Sequence, residues 1–428
     1  MKILIITYDF YPDNSPVTYR WFNILQEWVK VGCEIHVVCA SKDNHNSESV
    51  INGINIHRTP QSIISKIKSN SNASQDQTSG STQIYVKKKK SLLKIIHDAT
   101  WKKIYFPDYA FLWKFPAYKL AQKIIEQNNI EKIITVSWPF TAHLVGYKLK
   151  KKYNLPWLLD TIDPFSLCDI MNNQFFYAQK NIRIEQKMFR SADKISVLTE
   201  KIKDKYISMF PDIVNKIGVV PNIYVPLEKL EKVPANTHEK IIFVFVGTVT
   251  VVNRSPHNLL MFFYNLLHSK KLQKTIELHF YGELEQCQEI FESFDALMPN
   301  TIFLHNFVNR TELNKILAAA DVLLNVGNHS EFQEPSKIIE YIYFDKPIIN
   351  VCNIKDDTSY NILKDYYKFF NVFPDEINSN DVFDKAVTFF DNINSIEPND
   401  KYFSNFEKFL LPAVSEKYFA VLKDLKVL

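Results

Sequence analysis

Residues 223–239 read IYVPLEKLEKVPANTHE, and Ile241–Val249 directly behind them read IIFVFVGTV. The first stretch is charged and carries two prolines, whereas the second is a β-branched and aromatic run that meets a single glycine. A charged, proline-marked segment followed by a buried-type strand reads as a seam between two domains. Before the seam, Ile/Val-rich runs occur at Lys2–Thr7, Glu34–Ala40, Lys132–Ser137, Trp157–Ile162, Lys194–Thr199 and Ile217–Val220. After it the pattern restarts at Ile241–Val249, Ile276–Gly282, Ile302–Phe307, Asp321–Val326 and Pro347–Cys352. Helix-like patterns fill the intervals, which predicts two doubly wound, parallel-sheet α/β domains in tandem. The helix Trp21–Lys30 ends in Val31-Gly32, with Gly32 placed to follow its last turn.

The chain has 428 residues, 46% hydrophobic and 23% charged, enough for two or three domains with real cores. Only 8 of those residues are glycine, far below the roughly 7% of an average protein. Scattered singly, they exclude a P-loop and a multi-glycine dinucleotide turn, so a phosphate site has to use other donors. A formal charge of +4 does not support bulk nucleic-acid binding. Five cysteines without a C-x-x-C pair suit buried core positions in a reducing compartment. Met1–Thr7 is too short for a signal peptide and no apolar run reaches about 18 residues, so the chain reads as cytoplasmic.

The most informative segment is Asn325–Pro347, NVGNHSEFQEPSKIIEYIYFDKP, between two expected strands. Ligands of open α/β sheets bind outside the carboxyl ends of strands. Pro335 suits a first helical position, which puts Ser336 and Lys337 in the first turn, turns Ile338, Ile339 and Ile342 to the core and sets Lys337 beside Glu340. Free N–H groups and an ammonium would converge on a diphosphate-sized site, with a carboxylate behind them for a ribose. The same spacing also fits an ordinary exposed Lys–Glu pair. Arg254, just past a strand end, suits bidentate phosphate binding or a plain surface loop.

The segments MKILIITYDFYPDNSPVTYRW (1–21), VGCEIHVV (31–38), WLLDTIDPF (157–165), VPN (220–222), FVGTVTVVNRSP (245–256) and EPSKIIEYIYFDKPII (334–349) resemble those of retaining glycosyltransferases of family 4. The resemblance covers essentially the whole chain. It implies a GT-B fold, two Rossmann-like doubly wound parallel-sheet domains facing a cleft. The N-terminal domain, 1–222, would hold the acceptor; 223–239 would be the linker, 240–400 the nucleotide-sugar domain, and 401–428 a helix returning to the first domain. It further implies hexosyl transfer with retention from a UDP- or GDP-linked sugar to a saccharide or lipid-linked saccharide, without cofactor or metal, in cell-surface polysaccharide synthesis of bacterial type.

Residue by residue, Glu340 matches the second Glu of the family's E-x7-E motif, which contacts the donor ribose. The first falls on Phe332, leaving Glu331 or Glu334 to serve in its place. Gly247 and Thr248 begin the donor loop, Thr248 standing where an Arg is common, and Arg254 matches a later basic residue that stabilises the departing diphosphate together with Lys337. Tyr8–Arg20 would be the loop nearest the reaction centre, with Pro16-Val17-Thr18 in place of the family's glycines. Asp163, past a strand end and before Pro164, is the candidate acceptor-side carboxylate or else a turn residue. His143 matches a helix-start position and is left out of catalysis.

A different texture interrupts the first domain. Residues 66–83 are mostly Ser, Asn, Gln, Thr and Lys, a solvated insert. Lys87–Tyr105, KKKKSLLKIIHDATWKKIY, holds seven lysines and one acid, with Leu92, Ile95, Ile96 and Ala99 at helical spacing. With Trp101, Tyr105, Phe106, Phe111 and Trp113 close by, it reads as a peripheral anchor on an anionic membrane or as a solvated charge run.

Overall fold

The computed structural model describes residues 1–13, 15–41, 46–60, 105–168, 174–225, 240–396 and 404–425. The insert 66–83, the basic segment 87–105 except Tyr105, and the seam from residue 226 to 239 lie outside the described residues. The chain divides into two units, one holding the described residues up to Val225 together with Lys408–Leu428, the other Pro226–Glu407.

In the first unit the elements run β1 (Lys2–Ile6), α1 (Pro16–Lys30), β2 (Glu34–Ala40), β3 (Glu48–Ile51), β4 (Ile54–Thr59), α2 (Lys114–Asn128), β5 (Lys132–Ser137), α3 (Thr141–Tyr153), β6 (Trp157–Thr161), α4 (Gln174–Ser191), β7 (Lys194–Val197), α5 (Glu200–Met209) and β8 (Ile217–Val219). Their sheet has the order β3-β4-β2-β1-β5-β6-β7-β8, parallel except for β3. The order reverses between β1 and β5, and right-handed crossovers place α1 on one face and α2–α4 on the other. The β3–β4 hairpin, which the strand pattern above omits, turns on Asn52-Gly53, both at positive φ (49° and 79°). That dipeptide suits the left-handed turn of a two-residue hairpin.

Helix α1 begins at Pro16, not Trp21. Ser15 accepts the Thr18 N–H at 3.1 Å and Pro16 needs no partner for its missing N–H. The stretch expected as a loop up to Arg20 therefore ends at Ser15. Helix α1 buries Val17, Trp21, Ile24, Leu25 and Trp28 along one stripe. Against it packs α12 (Leu411–Asp424), fixed by a buried polar knot. Asp160 accepts from Trp21 Nε1 (2.9 Å), Ser196 Oγ (2.6 Å) and Tyr418 OH (2.6 Å), while Arg20 donates to Tyr418 OH (2.9 Å) and to the carbonyls of Val220 and Pro221.

The second unit runs β9 (Lys240–Thr248), α6 (His257–His268), β10 (Thr275–Glu283), α7 (Gln288–Leu297), β11 (Ile302–His305), α8 (Arg310–Ala319), β12 (Val322–Val326), α9 (Lys337–Tyr343), β13 (Ile348–Val351), α10 (Thr358–Leu363), β14 (Phe369–Val372) and α11 (Asn380–Asp391). Its six strands are parallel in the order β11-β10-β9-β12-β13-β14, which is the doubly wound order with its reversal between β9 and β12. Central strands covered on both faces are near-continuous apolar runs, and Phe243–Val246 and Val322–Val326 are buried throughout, the polar Asn325 donating to Asn350 Oδ1 at 2.7 Å. All five cysteines are buried thiols. Among the described residues no helix is long and apolar enough to cross a membrane.

Candidate functional site

At the β9/β12 reversal the loops leaving the two strands are tied across the crevice. Arg254 Nε donates to Asn328 Oδ1 at 2.8 Å, and the His329 N–H to the Asn253 carbonyl at 2.6 Å. Asn253 Nδ2 reaches Gln333 Oε1 at 2.6 Å, and Asn328 Nδ2 the Gln333 carbonyl at 2.9 Å. The loop after β13 joins them, Asn353 Nδ2 bonding the carbonyls of Gly327 (2.7 Å) and Ser255 (3.0 Å). Three strand ends thus share one amide network that fixes the Arg254 backbone and Nε.

Burial brings the Arg254 guanidinium down to about 10, offset in part by Tyr341 and Asp357, so it stays charged at neutral pH. Gly247 has φ of 152°, a conformation that side chains with a Cβ rarely adopt, whereas a Cβ there would stand 3.6 Å from Arg254 Nη1 in ordinary contact, so the backbone conformation and not the space selects glycine. Thr248, at the end of β9, is exposed. Asp357 is buried and caps α10 by accepting the Tyr360 N–H (2.8 Å).

Helix α9 starts at Lys337, two residues later than expected. Pro335 and Ser336 precede it, Ser336 in the cap position without a side-chain cap bond, and only a long 3.4 Å bond from Ile338 N to the Pro335 carbonyl closes the turn. Ile338, Ile339 and Ile342 are buried, and Tyr341 OH accepts the Val246 N–H at 2.9 Å, locking α9 to β9. Glu340 is buried, and Lys337 Nζ donates to its Oε2 at 2.9 Å. Arg310 Nη1, from the first residue of α8, reaches Oε1 and Oε2 at 2.9 and 3.0 Å. Burial lowers the Lys337 ammonium, Glu340 opposes that shift and Arg310 adds to it. Glu331, Phe332 and Glu334 are half-buried in the loop before the helix.

Gly247, Thr248, Arg254, Glu334, Ser336, Lys337 and Glu340 all belong to the second unit; Asp163 belongs to the first. It lies two residues past β6, half-buried, and among the described residues no hydrogen bond or ion pair engages its carboxylate. Burial raises it to about 6. The loop it opens is held by Glu185 of α4, which accepts from Phe165 N (3.1 Å), Ser166 N (3.2 Å), Ser166 Oγ and Tyr206 OH (2.6 Å). His143 is a core residue: its Nδ1 meets Thr135 Oγ1 at 2.8 Å, and burial lowers its pKa to about 3, leaving it neutral. Among the described residues no group of three or more His, Cys, Asp or Glu could hold a metal ion.

No family model matches the chain, and no curated protein matches it in sequence. Solved structures match it over its whole length. A sucrose-phosphate synthase of Thermosynechococcus elongatus superposes with a TM-score of 0.67 at 10% identity, over 99% of this chain and 98% of that one. A glycosyltransferase of Rickettsia africae gives 0.59 at 13%, over 99% and 98%. HepE of Anabaena, solved with UDP and glucose, gives 0.59 at 12%, over 99% and 100%. The fold is GT-B. Each of its two sheets has one reversal of strand order, β1/β5 in the first unit and β9/β12 in the second, and the crevice described above lies at the latter.

Sequence reading missed Arg310, Asn253, Asn328, Gln333 and Asn353 around the β9/β12 crevice, and Glu185 behind the Asp163 loop. A signal existed for Arg310, because Asn309-Arg-Thr-Glu312 is a helix-start pattern and Asn309 Oδ1 does accept the Glu312 N–H at 3.0 Å. The others are set by which loops the strand order brings together, and their spacing carries no mark of it.

Proposed function

We propose that the chain is a glycosyltransferase moving a hexosyl group from a UDP- or GDP-linked sugar to a saccharide acceptor with retention of configuration. One observation carries this reading: in a GT-B fold, the strand-reversal crevice of the second unit holds a fixed, charged Arg254, and the same unit pairs Lys337 with Glu340 on a helix locked to the central strand. Arg254 and Lys337 meet the charge that develops on the departing diphosphate, and Glu340 accepts the ribose hydroxyls. Ser336, Thr248 and the backbone at Gly247 line the approach to the diphosphate, with Glu331 or Glu334 toward the sugar. Asp163 holds the acceptor hydroxyl, whose proton leaves with the diphosphate. No metal takes part. The acceptor is a lipid-linked saccharide of cell-surface polysaccharide synthesis, met on the cytoplasmic face of an anionic membrane that segment 87–105 contacts.

The test is a screen of purified protein against nucleotide sugars for thermal stabilisation and slow donor hydrolysis, with Glu340→Ala and Arg254→Ala alongside and a chelator arm. A UDP or GDP sugar is expected to stabilise the wild type, and hydrolysis to survive EDTA. If no nucleotide sugar binds, the assignment fails. Lys87–Lys90 changed to Gln should weaken binding to anionic liposomes; unchanged binding removes the anchor. A second reading, a catalytically inactive scaffold subunit, is favoured by Phe332 in place of the motif's first Glu and by the ion pairs already formed at Glu340; it requires that the donor be bound without turnover, or not at all.

A further inference from the structure

An α/β unit takes its ligand at the carboxyl ends of the strands where their order reverses, here β1 and β5 of the first unit. The helices that follow such strands ordinarily offer free N–H groups to an anion. In this unit both helix starts are closed by the chain itself. Helix α1 opens on Pro16, which has no N–H, and Ser15 Oγ accepts the Thr18 N–H. At α3 the buried Asp108 accepts the Thr141 N–H and the Thr141 hydroxyl, both at 2.8 Å, and is itself fixed by the Ala110 N–H at 2.8 Å. The next two N–H groups, of Ala142 and His143, bond the carbonyls of Pro139 and Phe140. A carboxylate of the protein thus sits where a phosphate would bind.

The rest of the rim carries the same sign or none. Burial raises Asp108 and Asp163 to about 6, so both are mostly ionised at neutral pH. The Tyr109 hydroxyl is pushed up by burial and then by Asp9, Tyr8 and Asp108, and among the described residues no cation opposes that shift or the one at Asp163. Arg254 gives the crevice of the second unit the opposite sign. At the ends of β5 and β6 the register partners Ser137 and Thr161 bury hydroxyls that have no hydrogen-bond partner. Trp138, half-buried, lies 6.1 Å from Phe165 of the Asp163 loop, and Tyr109, 49% exposed, stands edge-on to Tyr8 at 5.5 Å.

Hydroxyls and aromatic faces suit the polar edge and apolar face of a sugar ring, and carboxylates accept from its hydroxyls. An anion meets no donor here and is repelled by two carboxylates. Resting on the transferase reading above, we propose that the acceptor brings an uncharged sugar ring to this crevice, and not a phosphate or a uronic-acid carboxylate. Its hydroxyl oxygen bonds to C1 of the donor hexose, the C1–O bond to the diphosphate breaks, and the hydroxyl proton leaves with the diphosphate. The protein therefore extends a saccharide that already exists. The step that joins a first sugar to a lipid phosphate belongs to another enzyme, acting before it.

The test reads the charge of the crevice directly. All five native cysteines are buried thiols, so Tyr109→Cys and, separately, Asp163→Cys each add one accessible thiol to the full chain. Each is reacted with a cationic (trimethylammonioethyl) and an anionic (sulfonatoethyl) methanethiosulfonate. Relative to mercaptoethanol, the cationic reagent should gain about tenfold over the anionic one, as a negative potential of little more than one kT requires. Asp108→Asn in the Tyr109→Cys background keeps a cap acceptor, removes the charge and should lower that ratio severalfold. Transfer from the nucleotide sugar that stabilises the wild type is then followed by mass spectrometry with octyl glucoside, octyl glucosaminide, octyl glucuronide and farnesyl phosphate. Product is expected with the first two alone; where none of the four is used, the thiol ratio decides. A ratio of one or less at both thiols, or product with the glucuronide or the phosphate, overturns the proposal. A wild type that no nucleotide sugar stabilises removes the transferase reading instead and leaves the measured charge of the crevice standing.

Discussion

Removing the Glu340 carboxylate should abolish the protein's ability to distinguish a ribonucleotide from its dideoxy form. A carboxylate has about four acceptor sites, and the three contacts from Arg310 and Lys337 fill three of them. Two ribose hydroxyls can be accepted only if one cation contact shifts, and Arg310, a third exposed, is the one able to move. Each hydroxyl bond to the charged group contributes about 1.5 kcal/mol at the lower end, and displacing a part-exposed ion pair costs about 1 kcal/mol. The net preference is then about 2 kcal/mol, roughly 30-fold in affinity. Calorimetric titration with UDP or GDP and the 2′,3′-dideoxy counterpart reads it directly. Wild type should prefer the ribose form by that factor, Glu340→Ala should show almost none, and Arg310→Ala should bind the ribose form more tightly. A wild type that binds both nucleotides equally, or a Glu340→Ala protein that keeps the preference, would refute the reasoning.

Three further outcomes follow from the same geometry. Arg254→Lys should weaken UDP binding at least tenfold, by about 1.5–3 kcal/mol for lost charge-assisted bonds, because lysine cannot reproduce the Nε bond to Asn328; uridine binding, which has no phosphate, should be unchanged, and titration of both ligands checks it. Asp163 is raised by burial to about 6, so if its ionised form holds the acceptor, kcat/KM climbs with pH through about 6, and Asp163→Asn loses that limb; a variant profile with the same limb contradicts the role. Glu185 is raised by burial from 4.5 to about 7, so its proton favours the native state; that stabilisation, about 3 kcal/mol, is complete below pH 4.5 and lost as pH rises through about 7. Urea unfolding across that range should show Glu185→Gln to be less pH-dependent than wild type by that amount.

The central strands were legible because burial on both faces demands unbroken apolar runs, as at Ile241–Val246. Edge elements obey no such demand. Phe369–Val372 is four residues long and mostly half-buried, and the β3–β4 hairpin alternates polar with apolar residues, so only Asn52-Gly53 announces it. Ser15-Pro16 marks the start of α1 by its cap, whereas the apolar stripe by itself points to a start at Trp21. At the site, Lys337 and Glu340 could be paired from spacing alone, whereas Arg310 lies thirty residues from Glu340 and meets it only because β11 and β12 flank β10 and β9 in the sheet. The amide ties among Asn253, Asn328, Gln333 and Asn353 likewise depend on strand order.

The polar knot at Tyr418 bears on how the chain is made. The first unit takes α12 into its own core, yet the ribosome delivers α12 only after the whole of Pro226–Glu407. At about 5–20 residues per second, about 20–75 seconds pass between release of α1 and arrival of its cover. During that interval Trp21 and Trp28 lack a neighbour, and Asp160 and Arg20 lack the hydroxyl they share. The second unit, continuous in sequence, can finish first, so synthesis inverts the usual N-to-C order of domain completion. A nascent chain stalled short of residue 411 therefore presents a tryptophan-rich surface suited to capture by a chaperone.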